Sequence, residues 1–233
     1  MTEPGMQESQ GAGGPHEGHP VLLRGTPLET AQVAMIMVHG RGARAEDILT
    51  LVDELQRPGV AYVAPQAAGN AWYPYPFMTP MEMNEPWLSS ALYTLEHTLA
   101  RVAEYVPAER VIWLGFSQGA CLATEFVARH AQRYGGVVGL SGGLIGPPGT
   151  PRDYPGSLDG TAVFLGCSDV DAHIPASRVE ETAQVFRELG GDVTARLYPG
   201  MGHVVNADEI SFVQGMIDTL TTGGTTPSSA TGG

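Results

Sequence analysis

Short runs of apolar residues alternate with longer amphipathic stretches over most of the chain. The runs are Ala34–Val38 (AMIMV), Ala61–Ala64 (AYVA), Val111–Gly115 (VIWLG), Gly136–Leu140 (GVVGL), Ala162–Gly166 (AVFLG) and Val193–Tyr198 (VTARLY), with Val21–Leu23 as an edge strand. Helical periodicity fills the intervals at Ala45–Gln56, Glu85–Tyr105, Gln118–Gln132, Ala176–Leu189 and Ala207–Leu220. Strands that are apolar at successive positions are buried on both faces. Separated by helices, they predict an α/β fold: an open, mostly parallel sheet with helices on both sides. A closed barrel of eight such units usually takes about 250 residues, so the 233 residues here favour the open, doubly wound form. In that architecture chemistry gathers at the carboxyl ends of the strands.

The two ends break the pattern. Residues 1–20 are rich in Gly, Glu, Gln and Pro, and the last 13 residues (TTGGTTPSSATGG) carry no charged and no large apolar side chain. Such segments bury too little surface to offset their ordering entropy. Disordered tails are therefore expected over residues 1–20 and 221–233, around one folded domain over residues 21–220.

Composition then removes several functions. All 12 basic residues are arginine, so Schiff-base chemistry and Walker-type phosphate loops, which need lysine, are excluded. With 25 acidic residues the formal net charge is -13 and no basic stripe occurs, which argues against a nucleic-acid partner. No apolar stretch approaches the roughly 20 residues of a membrane span, so no stable membrane insertion is expected. The N-terminus lacks the basic and apolar regions of a secretory signal. Cys121 and Cys167 suit neither a disulfide framework nor a zinc pattern. A reducing cytoplasm is the expected location.

The third strong strand runs into Gly115-Phe116-Ser117-Gln118-Gly119 and then a helix. This is G-x-S-x-G in its strand-turn-helix context, where the turn holds the serine in a strained conformation and glycines leave room for helix and strand to pass closely. The helix N-terminus behind Ser117 favours developing negative charge. The competing reading is a glycine-rich turn with a capping serine. A nucleophilic serine needs a base and an orienting acid, in the chain order Ser, acid, His. His203 follows the last strand through Gly-Met-Gly, and Asp169 and Asp171 follow the strand before it. His16 and His19 fall in the N-terminal tail, His97 and His130 on helices, His173 beyond the acid loop, and His39 where it would brace a loop. His203 is therefore the candidate base, and spacing leaves both aspartates open. His39-Gly40-Arg41-Gly42 follows the strand Ala34–Val38, where this arrangement supplies one oxyanion amide, the other coming from the residue after the nucleophile. The candidate donors are Arg41 N–H and Gln118 N–H; an ordinary tight turn is the alternative, with the Arg41 side chain in solvent.

With Gly-Phe-Ser-Gln-Gly-Ala, His-Gly-x-Gly, the Asp-x-Asp loop before Ile-Pro and Gly-x-Gly-His in view, the chain resembles the phospholipase/carboxylesterase family of α/β-hydrolases over about residues 21–220. The resemblance implies an α/β-hydrolase fold without a large cap domain, a serine hydrolase acting on carboxylic esters, lysophospholipids or thioesters, and no cofactor. The family pattern His-Gly-Asp-x-Asp-x-x-Val-Pro aligns without a gap on Cys167–Pro175, which makes Asp171 the triad acid, with Asp169 second. Cys167 and Ser168 replace the family's His-Gly, and Cys167 is expected to be a buried thiol.

The segment Ala64–Trp87 is long and rich in aromatic residues, Met and Pro. Trp72, Tyr73, Tyr75, Phe77, Met78, Met81 and Met83 are candidates for an apolar wall over the acyl group, with Leu144 from the Gly142–Leu144 turn. The alternative is a loop that only packs on the core. A similar segment in short-chain esterases of the family implies a small or medium acyl pocket. The expected partner is a small neutral ester, with a homodimer left open. The rivals are an acyl-protein thioesterase or lysophospholipase, and a hydrolase-fold binding protein without turnover.

Overall fold

The computed structural model describes residues 14–222. Along the chain run β1 (Val21–Gly25), β2 (Val33–Val38), α1 (Ala45–Ile48), α2 (Val52–Leu55), β3 (Val60–Pro65), α3 (Trp87–Ala103), β4 (Val111–Phe116), α4 (Gln118–Arg129), β5 (Gly136–Leu140), β6 (Ala162–Ser168), α5 (Ala176–Glu188), β7 (Asp192–Tyr198) and α6 (Ala207–Thr222). The seven strands form one sheet in the order β1-β3-β2-β4-β5-β6-β7, parallel except for the edge strand β1. Strand β2 explains the unbroken apolar runs. Ala34, Ile36 and Val38 face the core under α3, α4 and α5, while Val33, Met35 and Met37 face the core under α1, α2 and α6. A strand with a helical layer on each side has no face left for polar residues.

The expected strands and helices are present with ends shifted by a residue or a few, apart from Ala45–Gln56. There the helical spacing is right, since Ala45, Ile48, Leu49, Val52 and Leu55 are all buried, but a 3₁₀ turn at Leu49–Leu51 separates α1 from α2. Side chains compete for the carbonyls at this point. Thr50 Oγ1 donates to Asp47 O (2.7 Å) and Arg24 Nη1 donates to Leu49 O (2.9 Å).

The N-terminal tail departs from expectation at residues 14–20. His16 is 2% exposed. Its Nε2–H donates to Trp72 O (2.8 Å), its Nδ1 accepts from Ala68 N–H (3.0 Å), and its own amide donates to Ser90 Oγ (3.0 Å). Three hydrogen bonds and ring contacts with Trp72 and Trp87 supply the ordering energy that composition could not reveal. Residues 1–13 and 223–233, the remainder of the expected tails, lie outside the described residues, while 221 and 222 belong to α6.

Burial holds the pKa of His16, and likewise of His39, below the ordinary 6.5. An imidazole whose folded pKa is depressed is charged first in the unfolded chain. Its stabilising effect is complete above about pH 6.5 and is lost as pH falls below that value. The His16→Gln variant keeps a donor and an acceptor but does not titrate. Melting curves between about pH 8 and pH 5 should show the wild type losing Tm relative to this variant as pH falls. A constant Tm difference would show that folding does not lower the His16 pKa.

Candidate active site

The site is built at the point where β4 gives way to α4. Ser117 has φ 54° and ψ -122°, a conformation that costs a side-chain-bearing residue roughly 1–3 kcal/mol. Two glycines make the turn feasible. A Cβ on Gly115 would meet the Gly119 carbonyl, and a Cβ on Gly119 would meet the Val38 carbonyl of β2, so α4 lies directly against the sheet. The Ser117 amide is tied to Leu140 O of β5 at 2.9 Å.

Three side chains from three strand ends meet here. Ser117 Oγ donates to His203 Nε2 (2.8 Å), and His203 Nδ1 donates to Asp171 Oδ2 (2.7 Å). The other carboxylate oxygen, Asp171 Oδ1, accepts from His173 N–H (2.8 Å) and Ile174 N–H (3.0 Å). Burial on its own would raise the Asp171 pKa. The hydrogen bonds from His203 and from the two amides outweigh that effect and hold the carboxyl below its usual value. Asp171 therefore stays ionised where a protonated His203 would need a counter-charge.

The second aspartate has a different task. Asp169 Oδ1 accepts from Gly200 N–H (2.8 Å) and Ser168 Oγ accepts from Gly202 N–H (3.1 Å), so both residues pin the loop that carries His203. Gly200 and Gly202 take positive φ of 63° and 79°, which lets this loop turn back over the sheet edge. Cys167 is buried as expected. Its Sγ lies 3.7 Å from Asp171 Oδ2, and desolvation pushes the thiol up to about 12.

The loop after β2 lies beside the elbow, since Val38 pairs with Gly115 and a Cβ on Gly40 would sit 3.4 Å from Ser117 Cβ. The backbone amides of Arg41 and Gln118 have no hydrogen-bond partner among the described residues. The Arg41 side chain does not extend freely into solvent. Its Nη1 donates to Pro74 O (2.8 Å) and its Nη2 to Tyr73 O (2.8 Å) and Tyr75 O (3.0 Å). The Gln118 side chain grips the same segment, accepting from Trp72 N–H (2.9 Å) and donating to Tyr73 O (2.8 Å). His39 braces its loop as expected, with Nδ1–H on Gly40 O (2.8 Å) and Nε2 accepting from Ala67 N–H (3.1 Å).

A cavity of about 520 Å³ opens on Ser117 and His203 and is lined further by Arg41, Tyr73, Pro74, Pro76, Phe77, Gln118, Cys121, His173 and Ile174. Of the eight expected pocket residues, Tyr73 and Phe77 line it, while Trp72, Tyr75, Met78, Met81, Met83 and Leu144 do not. Trp72 is fully buried, with its indole N–H satisfied by His39 O (2.8 Å) and its ring packed against His39 and His16. Leu144 is fully buried, its amide on Thr182 Oγ1 (3.0 Å), and Met78 packs against the core. Pro74, Pro76, Cys121, His173 and Ile174 were missed. Cys121 could have been found, since it lies in the first turn of the helix that begins directly after Ser117. Among the described residues no cluster of His, Cys, Asp and Glu is placed to hold a metal ion, and no helix is long and apolar enough to cross a membrane.

The seven-stranded sheet, its helices on both faces and the absence of a large cap define an α/β-hydrolase. The chain belongs to the phospholipase/carboxylesterase family, whose model matches residues 26–221. Among solved structures it is similar to a phospholipase/carboxylesterase from Dyadobacter fermentans, with 39% identity and a TM-score of 0.83 over 86% of this chain and 96% of that one. Among curated proteins it is similar to acyl-protein thioesterase 1 of Debaryomyces hansenii, 30% identical over 48% of this chain and 49% of that protein. Acyl-protein thioesterase 1 of Eremothecium gossypii is 28% identical over 82% of this chain and 90% of that protein. The chain thus spans about half the length of the first curated relatives it matches.

The close approach at the elbow is directly testable. Gly119→Ala places a methyl group against the Val38 carbonyl, and a backbone cannot yield as a side chain can. A destabilisation of about 3 kcal/mol is expected, lowering Tm by roughly 6–12 °C. A thermal melt within a degree or two of wild type would contradict this packing.

Proposed function

We propose that the protein is a serine carboxylesterase that hydrolyses neutral short- to medium-chain carboxylic esters. The observation that carries this reading is the continuous hydrogen-bonded chain from Ser117 through His203 to Asp171, facing a cavity of about 520 Å³. His203 Nε2 takes the Ser117 proton as Oγ attacks the ester carbonyl. The backbone amides of Arg41 and Gln118 stabilise the oxyanion, with the N-terminus of α4 adding favourable potential. Asp171 holds the imidazole in its Nδ1–H tautomer and stabilises the imidazolium. As the tetrahedral intermediate collapses, His203 returns the proton to the leaving alcohol, and the acyl group stays on Ser117. Water, deprotonated by the same imidazole, then releases the acid.

The short acyl range is supported by the bulk of Tyr73 and Phe77, two buried aromatic residues that line the cavity. A second reading, an acyl-protein thioesterase or lysophospholipase, is favoured by the names of the curated relatives. Esters of rising acyl length separate the two. A rate that climbs toward long chains would reject the first reading.

Ser117→Ala should abolish turnover of p-nitrophenyl acetate and butyrate and labelling by a fluorophosphonate probe, while leaving the melting curve near wild type. Undiminished turnover would overturn the mechanism, and an unlabelled wild type would favour a binding protein. For the acid, Asp171→Asn should lose about three to four orders of magnitude in kcat. Asp169→Asn should lose far less, because its carboxylate holds the Gly200 amide and does not touch His203. A larger loss at Asp169 would reverse the assignment.

A further inference from the structure

His39, His173 and His203 stand on the loops that follow β2, β6 and β7, and two of these imidazoles are fully committed. His39 and His203 each use both ring nitrogens in hydrogen bonds. Among the described residues the His173 ring uses neither, and the residue is exposed. Its backbone, by contrast, is fixed. The His173 and Ile174 amides donate to Asp171 Oδ1, and Ile174 is buried directly before Pro175 and α5. A free imidazole is thus carried on a rigid stretch of chain. It lines the cavity beside Ser117 and meets the His203 ring edge-on, with centroids 4.9 Å and planes 71° apart.

The role of His203 decides which part of an ester lies there. Its Nε2 hands a proton to the leaving oxygen, so the alcohol portion departs on the His203 side of Ser117. A ring that packs against His203 and opens on the cavity borders that portion. From this we infer that His173 is a specificity-determining residue for the alcohol portion, and that it selects esters of alcohols that carry an aromatic ring. The inference rests on the carboxylesterase reading and names a substrate class within it. Two aromatic rings in edge-to-face or offset contact gain more than the area they bury, and a saturated ring of similar size lacks that gain. With both ring nitrogens free of partners in the protein, the imidazole can tilt to meet such a ring without breaking a hydrogen bond.

Two ester pairs test this. Benzyl acetate and cyclohexylmethyl acetate share an acyl group and differ in whether the ring of the alcohol is aromatic. p-Nitrophenyl acetate and p-nitrophenyl butyrate share an alcohol and differ in the acyl group. The ratio of kcat/KM values within each pair is measured for wild type, His173→Ala and His173→Phe, and intrinsic reactivity cancels when the proteins are compared. His173→Ala should lower the benzyl to cyclohexylmethyl ratio by roughly fivefold. The p-nitrophenyl ratio should stay within about twofold of wild type. His173→Phe should keep both ratios within about twofold, because it restores an aromatic ring without the imidazole nitrogens. Both variants should melt near wild type, since the contact with Asp171 is made by the His173 amide and not by its ring. A benzyl ratio that does not change in His173→Ala, that falls together with the p-nitrophenyl ratio, or that falls equally in His173→Phe would overturn the inference and leave the esterase reading intact. So would a wild type that hydrolyses only the p-nitrophenyl esters. A wild type that turns over none of the four esters would overturn that reading and this inference together.

Discussion

The rest of the site depends on one close approach, that of the first turn of α4 to the carboxyl end of β2. Gly119 has no side chain, so the helix backbone rests on the Val38 carbonyl. This contact is what makes the strained Ser117 conformation tolerable. The turn cannot relax without separating a helix whose residues from Gln118 to Ala128 are all buried. The strain of one residue is small beside the burial of a whole helix, so the local cost persists in the folded state. The same approach brings the Gly40–Gly42 turn beside Ser117, because β2 and β4 are neighbours in register.

A second consequence is that the aromatic segment is fastened to the site and not merely laid over it. Gln118 and Arg41 flank the elbow, and each sends its side chain to the Trp72–Tyr75 stretch. Behind that stretch, His39 and His16 pack on Trp72. Further along, Phe77 O accepts from Gly146 N–H (2.8 Å), and Asn84 Oδ1 accepts from Tyr75 N–H (2.8 Å). The position of the cavity wall is therefore coupled to the elbow through hydrogen bonds of the same two residues. A change at Arg41 would disturb the wall as well as the turn.

This division of labour explains what could be read from the chain. The parallel sheet was legible because burial on two faces leaves unbroken apolar runs. Ser117 and His203 were legible because the glycines around them are demanded by backbone geometry. The choice between Asp169 and Asp171 was not legible from spacing, since two carboxylates on one short loop serve two partners, the His203 ring and the Gly200 amide, that lie far off in sequence. The roles of Arg41 and His16 were hidden for a related reason. Each is a polar side chain whose partners are backbone carbonyls and amides of another segment, and such partners leave no mark on residue type. Trp72 was misassigned because an aromatic in a long connecting segment looks like a pocket wall whether it faces the cavity or the core.

The arginines near the cavity bear on the kind of ester the proposed enzyme would accept. The chain carries a formal net charge of -13, so an anionic substrate would need a prepared cation. Arg41 lines the cavity, and Arg178 lies 5.7 Å over the Phe77 ring. Both are already engaged: Arg41 through Nη1 and Nη2 on three loop carbonyls, and Arg178 through Nη1 on Leu144 O and Gly146 O and through Nε on Glu181. A guanidinium recognises a carboxylate by presenting a free pair of N–H groups as a fork. Freeing such a fork here would release the carbonyls that hold the cavity wall, so recognition of an anion would dismantle part of the site it enters. A neutral ester meets no such conflict.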